Sequence, residues 1–78
     1  MPRYHFHLES SSGPSADIDG REVADDTIAV KEAGSTAGEV LMDELTDGRT
    51  KPRVMVTVER TNGTKVAVIK AYAEVETF

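Results

Sequence analysis

Apolar residues recur along this chain with two different periods. From Arg3 to Glu9 they alternate, with Tyr4, Phe6 and Leu8 on one side and Arg3, His5, His7 and Glu9 on the other. A period of two with aromatic members predicts a half-buried strand over residues 3–9. Ser10 to Ser15, SSSGPS, has the composition of a loop. A weaker strand is expected over 16–23, where Ile18 and Val23 are the only large apolar residues and Asp19-Gly20 marks a turn or bulge. Its charges suit an edge position, where they oppose pairing with another sheet.

The period then changes. With Val30 as zero and about 100° per residue, Ala33, Ala37, Val40, Leu41 and Leu45 share one arc, while Lys31, Glu32, Ser35, Glu39 and Asp43 lie elsewhere. This predicts an amphipathic helix over 26–47. Asp25 supplies an N-cap carboxylate, Asp26 a charge favoured by the helix dipole, and Gly48 a left-handed stop. Gly34 and Gly38 each weaken a helix interior by about 1 kcal/mol relative to Ala. At the edge of the arc they point to close packing on a sheet, or to a small-residue groove for a second helix.

Two β-branched runs, 53–61 and 64–73, flank Asn62-Gly63, a strong hairpin signal. A type I′ turn there sets Thr61 against Thr64, and the register follows outward. Val58, Val56 and Val54 then oppose Ala67, Ile69 and Ala71 on one apolar face, and a slip of one residue would destroy that match. The other face pairs Glu59 with Val66, Thr57 with Val68, Met55 with Lys70 and Arg53 with Tyr72. Met55, Val66, Val68 and Tyr72 make it more apolar than one solvated face requires, and they form a candidate interface.

The order β-β-α-β-β predicts an α+β fold, one helix packed on a four-stranded, mainly antiparallel sheet with strand order 2-1-3-4. Residues 1–78 are expected to form one domain. A core this small is often supplemented, and with no cysteine neither a disulfide nor a thiolate metal site is available; self-association is the expected supplement. The net charge of −5 argues against nucleic acid and anionic membranes, which need a basic patch. Arg49, Lys51 and Arg53 read as a solvated cluster. No apolar run is long enough to span a membrane and no secretory h-region opens the chain, so the cytoplasm is the expected location.

His5 and His7 are the first candidates for chemistry. On a strand they share a face, roughly 7 Å apart. Such a pair could hold zinc with a carboxylate such as Glu9 or Glu59, could make a pH-sensitive contact across a dimer, or could simply sit on a solvated sheet face. Asp17 to Glu22 has the look of part of a calcium loop, but no helix precedes it, and an acidic turn is the better account. Ser10, Ser11 and Ser12 follow the histidine strand without fixed oxyanion donors, so no catalytic residue is assigned.

The opening Met1-Pro2-Arg3-Tyr4-His5-Phe6-His7-Leu8 resembles a family of short bacterial proteins of unknown function that open M-P-R-Y-F-F-H. His5 stands where that family has an aromatic residue. Asp17, Gly20 and Glu22 match its acidic D-x-x-G-x-E/D stretch, and Ala29, Ala33 and Ala37 its Ala-rich helix. The resemblance implies the ββαββ order and a bacterial cytoplasmic protein, and it supplies no catalytic residue. The expected function is that of a non-enzymatic module for protein interaction or self-association. The alternative is a domain binding a metal or small ligand through His5 and His7.

Overall fold

The computed structural model describes residues 2–11, 13–16 and 20–78. Its elements are β1 (Arg3–Ser10), β2 (Gly13–Ala16), β3 (Arg21–Glu22), α1 (Asp26–Thr46), β4 (Arg53–Arg60) and β5 (Lys65–Tyr72). All strand pairs are antiparallel, in the order β2-β1-β4-β5, and β3 pairs with β1 beside β2. The fold is α+β, with the ββαββ order, its second strand position shared by β2 and β3.

That sharing corrects the reading of residues 10–23. Gly13–Ala16, its first three residues expected as loop, is a strand that folds back on β1, with Ser10 opposite Gly13 and His7 opposite Ala16. The expected strand over 16–23 is represented by Ala16 at the end of β2 and by Arg21–Glu22, while Asp17, Ile18 and Asp19 lie outside the described residues. Gly20 fits its place for two reasons. Its φ is +73°, and a Cβ there would stand 3.2 Å from both the His5 ring and the Tyr4 carbonyl oxygen.

The β4–β5 register agrees with the sequence reading from Arg53–Tyr72 to Val58–Ala67, and then shifts. Glu59 pairs with Lys65, so Val66 is the extra residue of a bulge. The turn is not type I′, because among its residues only Gly63 has positive φ (+87°). The Gly63 N–H donates to the Arg60 carbonyl and the Arg60 N–H to that of Thr64, both at 2.9 Å. These bonds close a three-residue loop ending in a left-handed glycine. The Thr64 N–H also donates to Asn62 Oδ1 at 2.9 Å.

The helix begins at its N-cap, where the Ile28 N–H donates to Asp25 Oδ1 at 2.9 Å. It ends in a Schellman motif: the Gly48 N–H bonds to the Leu45 carbonyl and the Arg49 N–H to that of Glu44, each at 3.1 Å. Its buried residues are Ala29, Ala33, Ala37 and Glu44. The buried stripe is therefore rotated by roughly 50° from the expected arc, away from Leu45. Alanine, not glycine, lets the helix lie close to the sheet. Gly34 and Gly38 are exposed, and a Cβ at either would meet nothing within 4 Å, which overturns the close-packing reading.

The core lies between helix and sheet. Val54, Val56 and Val58 are buried at its centre with the three alanines, Val23 and Tyr4, flanked by Phe6, Leu8, Ile69 and Ala71. Each valine sits between an apolar-face residue of β1 and one of β5: Phe6–Val58–Ala67, Leu8–Val56–Ile69 and Ser10–Val54–Ala71. This shared register is why the alternation in three separate segments closes on one core.

Candidate functional site

The sheet face away from the helix is built by the odd residues of β1 and β4 and the even residues of β5. Pairing sets His5 against Glu59, His7 between Ala16 and Thr57, and Glu9 against Met55. Across β4, Thr57 meets Val68, Met55 meets Lys70, and Arg53 meets Tyr72. Val68 is 44% and Tyr72 77% exposed, and Met55 is half-buried. Val66 leaves this group. Its place in the bulge packs it against the core, so of the four residues expected at an interface only Met55, Val68 and Tyr72 share this face. A cleft of about 340 Å³ opens beside Glu9, Arg53, Met55, Lys70 and Tyr72.

His5 and His7 share this face as expected, their rings 6.3 Å apart and nearly parallel. His7 Nε2 lies 3.4 Å from Glu59 Oε2. Among the described residues no three His, Asp or Glu side chains converge closely enough to hold a metal ion. Glu9, the other carboxylate of the row, belongs to the next pair along β1. Most of the calcium-like stretch lies outside the described residues; Arg21 and Glu22, which end it, form ion pairs with Glu32 and Arg3. Ser11 has a structural partner, its Oγ accepting from the Arg53 N–H at 3.1 Å and fastening the end of β1 to the start of β4.

Sequence reasoning missed two polar features. The first joins the helix start to the sheet. The Tyr4 hydroxyl donates to Asp26 Oδ1 at 2.6 Å, and Arg60 holds Oδ2 of the same carboxylate. The Tyr4 hydrogen bond, followed by that from Arg60, pulls the Asp26 carboxyl below its ordinary pKa. The same hydrogen bond, with desolvation, pushes the Tyr4 phenol up, and Asp26 pushes Arg60 up. All three are satisfied by one another, which makes the cluster a clamp between β1, β4 and α1.

The second missed feature is Glu44, 4% exposed, with Oε1 4.0 Å from Arg49 Nε just past the helix end. Its signal was present in the sequence. Residue 44 continues the spacing 29, 33, 37, 40, but its charge set it aside. On the sheet side, Arg21 reaches Glu32 on the helix at 3.0 Å and lies 5.5 Å from the centre of the Phe6 ring, covering that edge of the core.

No helix among the described residues is long and apolar enough to cross a membrane. The model of a protein family described as a domain of unknown function (DUF6894) matches residues 3–72, and the chain belongs to that family. No match was found among curated proteins or among solved structures.

Proposed function

We propose that this member of the DUF6894 family is a small non-enzymatic module that works by protein contact, with itself or with another protein, through the open face of its sheet. We place it in the bacterial cytoplasm. The observation that carries the reading is the one-sided cover of the sheet. The helix packs on one face, while the other presents Met55, Val68 and Tyr72 among charged and imidazole side chains. An apolar centre with a polar rim is the usual composition of a protein contact surface. The test is an amide NMR spectrum at rising protein concentration, repeated with Met55→Glu. Concentration-dependent shifts along residues 53–72 that the substitution abolishes support the face. An unchanged spectrum, with no partner captured through Met55, removes it.

A second reading rests on the contact between His7 and Glu59 beside His5. The pair would hold a metal ion such as zinc, with water or a partner group completing the coordination. Zinc titration of the protein and of a His5→Ala, His7→Ala double variant separates the two readings. Equal zinc affinity in both excludes the site.

A further inference from the structure

We infer that two copies of this chain join through the free edge of β5, in one register centred on Tyr72, to make a single sheet running through both. The inference rests on the proposed function only in that the chain self-associates: it assigns the contact between two copies to the strand edge and leaves the open face, with Met55, to contact with another protein. β5 is the last strand of the sheet. The ladder to its inner neighbour continues beyond Tyr72, since the Ala73 N–H donates to the Pro52 carbonyl at 3.2 Å and the Val75 N–H to that of Thr50 at 2.8 Å. Odd residues of this segment thus turn their backbone groups inward. By alternation the N–H and C=O groups of Val68, Lys70, Tyr72 and Glu74 face the open edge.

Such an edge accepts another strand unless something forbids it. Here the side chains select the occupant. An antiparallel pair about a twofold axis sets residues opposite one another that are equally far from the axis, and pleating keeps both on one face. A centre at Lys70 would oppose two lysines, and centres at Val68, Ile69 or Ala71 leave Lys70 opposite Val66, Val68 or Tyr72. A centre at Tyr72 sets Lys70 against Glu74 of the second copy, twice by symmetry, and Tyr72 against its own equivalent. On the helix side it sets Ile69 against Val75 and Ala71 against Ala73. Among the described residues neither Lys70 nor Glu74 has an ion pair within its own chain. Tyr72 and Val75, 77% and 41% exposed in one chain, gain partners in this arrangement.

The test is sedimentation equilibrium of the whole chain and three charge variants. Lys70→Glu and Glu74→Lys should each raise the dimer dissociation constant about tenfold or more, because two attractive pairs become repulsive. The double variant should restore it. Tyr72→Cys, the one thiol in a chain without cysteine, should oxidise readily to a covalent dimer, since directly opposed residues stand about 5.5 Å apart, within the span of a disulfide. Met55→Glu, on the central strand, should leave the dimer intact. A dimer lost in Met55→Glu and indifferent to the charge exchange overturns the edge register and supports the open face. A monomer at every concentration overturns both modes of self-association.

Discussion

The Tyr4 hydroxyl, on a residue only 1% exposed, donates to Asp26 at 2.6 Å and so joins the first strand to the first turn of the helix. Asp26 is also held by Arg60, the last residue of β4. One carboxylate therefore fixes where the helix starts relative to two neighbouring strands. It does so at the positive end of the helix dipole, where a negative charge is favoured in any case.

This clamp gives stability a particular dependence on pH. An unfolded aspartate titrates near about 3.9, and Asp26 in the fold lies lower because Tyr4 and Arg60 donate to it. A depressed carboxyl contributes stability that is present above the unfolded value and lost as pH falls through the folded one. Tyr4→Phe should therefore lower the melting temperature at neutral pH, and the difference from the parent should shrink in acid, below the folded pKa of Asp26. Melting curves from neutral pH into acid check this, with NMR titration of the Asp26 carboxyl expected to show its pKa rising in the variant. A decrement that is the same at every pH would mean that the hydroxyl acts through packing alone.

The hairpin, the helix and the helix-facing rows of β1, β4 and β5 were legible because each rests on a local rule. Alternation gave Val54, Val56 and Val58 one face, and Asn62-Gly63 placed the turn between the strands. What failed depended on tertiary context. The bulge that withdraws Val66 follows from a three-residue loop, which Asn62-Gly63 permits as readily as a two-residue one. Gly13 to Ser15 pair as part of β2 because β1 offers an edge, although the composition of SSSGPS favours a loop. Glu44 took a core position on spacing alone, and the Tyr4–Asp26 contact joins segments whose proximity exists only once the helix has docked. On the candidate face, alternation put His5 beside His7 and Met55 beside Val68 and Tyr72, and the pairing of β1, β4 and β5 sets these residues on one side of the sheet. Alternation could not say how many ligands would converge on the histidines.

The two exposed helix glycines make a direct prediction. A Cβ at Gly34 or Gly38 meets nothing, and neither residue has positive φ. Ala at either site should stabilise the fold by about 0.5–1 kcal/mol through the reduced freedom of the unfolded chain, measured by urea unfolding. Loss of stability instead would show that the helix packs more closely there than the structure places it.

The core register can be tested by contrast between the two faces. Val56 is fully buried between Leu8 and Ile69, whereas Val68 is 44% exposed on the opposite face. Val56→Ala should cost about 2–3 kcal/mol in transfer and cavity terms. Val68→Ala should stay within about 0.5 kcal/mol, as is usual for a surface site. Chemical denaturation of both variants is sufficient, and equal losses would place the β4–β5 pair in a different register.

The turn between β4 and β5 separates two conformations with the same residues. In a type I′ turn both Asn62 and Gly63 would need positive φ, whereas here only Gly63 has it, at +87°. Gly63→Ala should then cost about 1–2 kcal/mol, the ordinary penalty for an L-residue in the left-handed region. Asn62→Ala should lose little more than the exposed hydrogen bond from the Thr64 N–H to its side chain, below about 1 kcal/mol. A type I′ turn would make the Asn62 substitution as costly as the Gly63 one, since alanine would be forced into the same region. Comparison of the two variants by thermal unfolding decides between the turns. With the turn, it also decides whether Val66 belongs to the core or to the open face.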